Sequence, residues 1–287
     1  MLVVTGATGH LGSQVVEHLL DRVPAAEVAV SVRDVDAASR LAARGVRVRA
    51  GDFTDPPSLR HAFEGAERVL VVSAAIRGGG AVAANTAALD AARAAGAARV
   101  LYTSHQAASR TSLFAAQPTH AATEEHLVGL GVPVTALRNG FYASTLALLV
   151  GDALRTGRLE APADGPVSWT AHADLAEAAA VALVDDGALD GVTPPLTASE
   201  ALDLEDVAAV LGDLAGRSVT RVVVDDDDWV AAAVGRGMPA AAAEFALGMY
   251  RAARRGEFAV TDPALERLLG RPPVPVRRVL EGLVTAA

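Results

Sequence analysis

The sequence predicts an α/β fold: a doubly wound parallel sheet followed by a smaller, mostly helical C-terminal region. Three observations predict it. The chain opens on an apolar run, Leu2 to Val4, that feeds a glycine turn (Gly6, Gly9, Gly12) and then a helical pattern at Val15, Val16, Leu19 and Leu20. Short apolar strands then alternate with helix-patterned segments as far as residue 140, as βα units with strands buried on both faces do. Past that point the alternation thins and helical patterns dominate. The expected division is residues 1–140 as a nucleotide-binding (Rossmann) domain and 141–287 as a substrate region on the carboxyl edge of the sheet.

The glycines of the first turn have separate duties. One permits the turn, one lets the backbone approach a pyrophosphate, and one lets helix and strand pack closely. The helix N-terminus behind them offers unpaired N–H groups to phosphate. Motif and setting together predict a dinucleotide site at Gly6, Ala7, Thr8, Gly9, His10, Leu11 and Gly12. Glu27 to Val32 reads as the second strand, with Arg33 at its carboxyl end beside the expected adenosine ribose. An arginine there accommodates a 2′-phosphate and favours NADP(H); Asp34, next along, favours NAD if the turn brings it to the ribose instead.

Asp36 to Arg44 reads as helical and Val46 to Ala50 as the third strand, with Asp52 and Phe53 where the adenine would rest. Asp52 reads equally well as a turn residue. Asp55-Pro56-Pro57 signals a helix start before Leu59, Ala62 and Phe63. Arg68 to Ser73 is the fourth strand, and Ser73, Ala74 and Ala75 are small residues along the cofactor's path. The loop Arg77 to Gly80 is a slack connection or a lid. A helix over Ala83 to Ala95 stops at Gly96, and Ala98 to Thr103 is the fifth strand. A helix over Thr119 to Leu130 and a strand over Pro133 to Leu137 complete the nucleotide domain.

In the second half, helices are expected at Leu146 to Thr156, Asp174 to Val184, Leu204 to Ala215, Asp228 to Gly235 and Ala240 to Arg255, with a strand at Val219 to Val224. The Asp225 to Asp228 run reads as a solvated turn and acidic helix start rather than a metal site. Asp174 reads as a helix N-cap.

Composition narrows the chemistry. The 287 residues are 51% hydrophobic, ample for a core, and contain no cysteine, which excludes disulfides and thiol nucleophiles. The net charge of −9, with no basic stripe, argues against a nucleic-acid partner. No apolar run is long enough to span a bilayer and no cleavable leader is visible, so a cytoplasmic location is expected. The histidines show no ligand spacing, and no metal is expected. All 25 basic residues are arginine, a bias that, with so much alanine, reads as a genome of high G+C content.

Short-chain dehydrogenases commonly use Tyr-x-x-x-Lys, in which lysine lowers the tyrosine pKa for proton exchange with the substrate oxygen. Here Tyr102 is followed at the fourth position by Gln106 and Tyr142 by Leu146. Other segments are more telling: GATGHLG at the start, VR at Val32-Arg33, YTS at Tyr102 to Ser104, RNGFY at Arg138 to Tyr142 and TDPALERLLGRPP near the end. Together they resemble the NmrA-like atypical short-chain dehydrogenases, and within them the bacterial NADPH-dependent quinone oxidoreductases, over essentially the whole chain.

The resemblance implies that Gly6 to Leu11 and Arg33 hold NADP(H), that Ser73 to Ala75 line its path, and that Asn139, Gly140, Phe141 and Tyr142 close around the nicotinamide. Read alone, Asn139-Gly140 is a structural turn. A quinone suits a site without a strong proton donor, because aromatisation drives hydride transfer to its ring in a dry, apolar pocket. Tyr142, Phe141 and Phe114 are candidates to stack on it, and Tyr142, Ser104 and His105 to hydrogen-bond the reacting oxygen. His105 reads as a loop histidine and His120 as a helix-cap residue if neither takes part. A homodimer is compatible with this reading. The rival is a redox-sensing regulator that binds NADP(H) without turnover and acts through a protein partner; such a protein could fill the nicotinamide side with bulk, whereas an enzyme needs room for a second ring.

Overall fold

A computed structural model describes residues 1–74, 80–185, 187 and 189–286. Ala75 and most of the Arg77 to Gly80 loop lie outside them. In the first half, strands β1 (Leu2–Thr5), β2 (Val28–Val32), β3 (Arg47–Ala50), β4 (Arg68–Val71), β5 (Arg99–His105) and β6 (Val134–Asn139) alternate with helices α1 (His10–Leu20), α2 (Ser39–Ala43), α3 (Pro56–Ala62), α4 (Gly80–Ala94) and α5 (Ala116–Val128). The second half runs β7 (Phe141–Tyr142), α6 (Leu146–Leu149), α7 (Ala153–Thr156), β8 (Arg158–Pro162), β9 (Trp169–Thr170), α8 (His172–Val184) and β10 (Gly191–Val192). It continues through α9 (Leu204–Ala215), β11 (Thr220–Val224), α10 (Asp226–Gly235), α11 (Ala240–Arg254), α12 (Ala264–Leu269) and α13 (Val276–Ala286).

Seven strands form one sheet in the order β10-β6-β5-β4-β1-β2-β3, every neighbouring pair parallel. The pleat sends alternate side chains to opposite faces. Leu2, Val4, Val28, Val30, Leu70 and Leu101 meet α1, α8 and α12 on one face. Val3, Ala29, Val69, Val71, Val100 and Tyr102 meet α3, α4 and α5 on the other. Strand order reverses between β1 and β4, and the crevice outside the carboxyl ends of those strands is where an open α/β sheet binds its ligand.

The second half builds its own core around Phe141, Leu159, Trp169, Leu211, Leu247 and Phe258. Two parallel ribbons, β8 with β11 and β7 with β9, sit within it; apart from β11, their strands were not expected from the sequence. The helix expected over Leu146 to Thr156 is two short ones, interrupted at Gly151, whose φ of +42° ends α6. The boundary at residue 140 is not a packing boundary, because α8 packs beside α1 and β10 is the seventh strand of the sheet. Asp174 is not a cap: it lies inside α8, fully buried, accepting from Arg271 Nη1 (2.8 Å) and Val274 N (2.7 Å). Asp225 caps α10 through Asp227 N (2.8 Å), and Asp226 pairs with Arg251 and Arg254, so the acidic run is a helix start, as expected. Among the described residues no helix is long and apolar enough to cross a membrane.

Asn139-Gly140 is a close crossing rather than a turn. Gly140 lacks a positive φ, its N–H donates to Leu196 O (2.8 Å), and a Cβ there would lie 2.1 Å from Thr170 Oγ1 and 2.9 Å from Leu196 O. The Thr170 hydroxyl cannot easily yield, since it donates to Ser168 O and accepts from Ala198 N. Gly140→Ala should therefore destabilise the fold by about 1–3 kcal/mol, read from the urea midpoint, as overpacking does.

Candidate functional site

The crevice begins at the glycine turn. Gly6 adopts φ +62°, accepts from Gly9 N (2.9 Å) and donates to Ser31 O (3.3 Å). Gly12 is where turn and helix touch: a Cβ would lie 2.3 Å from Gly6 O. No side chain caps α1, so its first-turn N–H groups and positive dipole end face the crevice. Thr8, Gly9 and His10 are exposed, whereas Ala7 and Leu11 send their side chains into the core and can present only backbone.

Arg33 is exposed at the end of β2, with no ion pair or hydrogen bond to another described residue. Asp34 accepts from Asp36 N (3.0 Å), an interaction within its own turn. Asp52 behaves similarly, accepting from Thr54 N (2.8 Å) and Thr54 Oγ1 (2.7 Å), which hold its carboxyl below the usual range. Phe53 is half-buried beside it. At the end of β4 the backbone is pinned by side chains: Val72 N donates to Thr5 Oγ1 (2.9 Å), Ser73 N to Thr103 Oγ1 (2.8 Å) and Ala74 N to Asn85 Oδ1 (2.9 Å).

A buried polar layer follows at the ends of β5 and β6. Asn85 Nδ2 donates to Tyr102 OH (3.2 Å), which lies 3.0 Å from His120 Nδ1. His120 is thus part of this layer, inside α5, and not a cap. His105 Nδ1 accepts from Ala107 N (3.3 Å) and lies 2.9 Å from Gln117 Nε2, which assigns the ring proton to Nε2. Burial pushes His105 well below the usual imidazole range and His120 down to about 4, so both rings are neutral. Ser104 Oγ donates to Glu124 Oε1 (2.5 Å), and Glu124 also takes a two-pronged bond from Arg138 (2.9 and 2.7 Å). The Ser104 proton is engaged. Asn139 is 1% exposed; its amide interacts with the Tyr142 phenol and makes no other side-chain hydrogen bond among the described residues.

The strand β7 divides the site. Consecutive side chains on a strand point to opposite faces, and here Phe141 and Tyr142 enter different compartments. Tyr142 packs on His172 (ring centroids 4.2 Å apart), which stacks on His10 (4.2 Å, 6° between planes) beside the glycine turn. Burial, reinforced by His10, pushes His172 down to about 4, and burial pushes Tyr142 up. Phe141 joins Phe114 in the wall of a cavity of about 820 Å³, with Leu149, Trp229, Phe245 and Tyr250. Tyr142 does not line it. Sequence reasoning missed His172 because its partner rings are remote along the chain; its place at the start of α8 was the available signal.

These features fit a dinucleotide: a glycine cradle that a Cβ would fill, an uncapped helix end at the switch point, and a buried amide engaged among the described side chains by Tyr142 alone. The class defined is a dinucleotide-binding α/β protein of short-chain dehydrogenase type without the Tyr-x-x-x-Lys pair. The chain belongs to the NmrA-like family, whose model matches residues 1–268. It is 33% identical over 273 residues to quinone oxidoreductase 2 of Escherichia coli (strain K12), covering 95% of this chain and 94% of that one. Among solved structures it resembles the Escherichia coli NADPH-dependent quinone oxidoreductase complexed with NADPH (TM-score 0.93, 31% identity, 99% of each chain). It also resembles the Citrobacter sp. triphenylmethane reductase complexed with NADP(H) (TM-score 0.92, 31% identity, 99% of this chain and 100% of that one).

The neutral imidazoles carry a pH signature. Between the ordinary value of 6.5 and about 4, the unfolded chain binds protons at positions 120 and 172 that the native one does not. Stability should fall on acidification through that window, by up to about 1.4 kcal/mol per pH unit for each ring. Urea unfolding at a series of pH values should show this limb, and a variant carrying His120→Gln and His172→Gln should make it shallower, leaving the part that His105 contributes.

Proposed function

We propose that this chain reduces a quinone or a similar small electron-poor acceptor by direct hydride transfer from NADPH. It is an NAD(P)H-dependent oxidoreductase, in keeping with the quinone oxidoreductase and triphenylmethane reductase it resembles. The observation that carries the acceptor reading is the placement of β7: adjacent residues face a glycine-cradled crevice on one side and an aromatic cavity on the other. The redox-sensor alternative expects bulk where a second ring would go. The open cavity beside Phe141 supports the enzyme reading.

The dinucleotide supplies the hydride, two electrons and one proton, and the acceptor's second proton comes from water. The chain's own residues bind, orient and exclude. The α1 N-terminus and the backbone of Gly6 to Gly12 receive the pyrophosphate, and Arg33, which has no ion pair or hydrogen bond among the described residues, takes the 2′-phosphate. Ser73 and Ala74 present a backbone already tied down, and the Asn139 amide, beside Tyr142, serves the nicotinamide end. Of the candidate donors, the Ser104 hydroxyl already donates its hydrogen bond to Glu124. Tyr142 and His105, each neutral near pH 7, line no part of the aromatic cavity; in this reading they serve the acceptor only at the edge that crosses to the coenzyme side of β7, where Tyr142 also meets Asn139. Phe141 and Phe114 offer faces to an aromatic acceptor and keep water out. The setting is cytoplasmic in this reading, and the partner is a small molecule.

Anaerobic stopped-flow mixing of protein and NADPH with benzoquinones and naphthoquinones tests the reading. Saturable, protein-dependent loss of reduced nicotinamide absorbance is expected; tight NADPH binding without oxidation by any acceptor would shift the assignment to the sensor. Arg33→Ala should weaken NADPH by roughly 1–3 kcal/mol, as loss of a charge-assisted phosphate contact does, and leave NADH binding near its original value. Equal weakening of both coenzymes, measured by titration calorimetry, would remove Arg33 from the 2′-phosphate.

A further inference from the structure

The cavity beside Phe141 is too large for a one-ring quinone. Its volume of about 820 Å³ lies in the range of roughly 300–1,000 Å³ that encloses drug-sized ligands. Its lining is graded from floor to mouth. Phe114, Phe141, Met249 and Tyr250 are buried and form the floor, whereas Leu148 (82% exposed), Met238 (39%) and Arg236 open to solvent. Trp229, half-buried, stands with its ring against Tyr250.

Charge is confined to a few side chains. Asp152, Arg158, Glu160 and Arg236 line the cavity. Asp152 is met by Arg155 (2.9 Å) and Arg158 by Glu160 (2.8 Å). Arg236, the C-cap residue of α10, has no ion pair among the described residues. Arg236 lies in the field of Asp152, whose carboxylate Arg155 already pairs, so these three groups leave one guanidinium in excess at the exposed end of the cavity. A planar guanidinium suits a sulfonate or carboxylate.

We infer that this cavity takes a polycyclic aromatic acceptor bearing an anionic substituent, with its rings against Phe141 and Phe114 and its sulfonate or carboxylate at Arg236. The inference rests on the oxidoreductase reading above, but its binding part can be measured without coenzyme. The probes are anilinonaphthalene sulfonate and its unsulfonated parent, phenylnaphthylamine, titrated by dye fluorescence and by quenching of Trp229. The wild-type protein should prefer the sulfonated dye. Arg236→Gln should cut that preference about fivefold, Arg236→Glu further, and added salt should erode it, as expected for one partly exposed ion pair.

Ala246→Trp, which fills the cavity, should abolish both dyes; sulfonated dye still bound by that variant would overturn the inference, as would an Arg236→Gln protein that keeps the wild-type preference. A parallel assay compares kcat/KM for naphthoquinone sulfonate and for naphthoquinone with NADPH, and the ratio should fall about fivefold in Arg236→Gln. Dye preference that depends on Arg236 without turnover of either quinone would sink the reductase reading and leave the anion subsite standing. Turnover of both quinones without that dependence would sink the subsite alone.

Discussion

Where β1 and β4 separate, the sheet's ladder ends while the chain still runs through the interior, and each backbone N–H there needs an acceptor. Thr5, Thr103 and Asn85 provide them, one each for residues 72, 73 and 74. The rest of the site follows from this closure. Asn85, held by Ala74, reaches Tyr102; Tyr102 orders His120; and the neighbouring strand ends carry His105, Ser104 and Asn139 in register. Thr and Asn serve here because each is short and brings an acceptor oxygen. An apolar side chain would leave a buried N–H unpaired, at a cost of about 1–3 kcal/mol.

The layer beneath the crevice is polar yet uncharged except at one pair. Burial keeps His105, His120 and His172 unprotonated and Tyr102 and Tyr142 protonated, while Glu124 and Arg138 neutralise each other. Such a layer fixes geometry without imposing a strong field on a ligand. In a chain without lysine, no tyrosine of this layer is activated by a Tyr-x-x-x-Lys pair, and the proposed hydride transfer does not call for one.

Much of the first half was legible because parallel strands buried on both faces are apolar throughout, and because Gly6 and Gly12 are demanded by backbone geometry. The second half was less so. β7 and β9 are two residues long, too short for periodicity to register, and they pair only because Gly140 lets the chains cross. Asp174 looked like a cap because caps and buried carboxylates share a position near a helix start; only the fold brings Arg271 to it. Among candidate residues, Arg33 could be read from its place after β2. The engagement of Ser104 by Glu124, the His10–His172 stack and the separation of Tyr142 from Phe141 depend on contacts that no local pattern encodes.

That separation has a consequence for how such a protein can change. The glycine-cradled crevice is assembled from the first half together with α8, whereas apart from Phe114 and Phe141 the aromatic cavity is walled largely by α6, α7, β8, α10 and α11. With the crevice as the coenzyme site and the cavity as the acceptor site, as proposed, substitutions in those later elements would alter what is reduced without disturbing what does the reducing. A lineage can therefore keep one electron donor and explore many recipients, with the two-residue strand as the hinge between an inherited half and an inventive one.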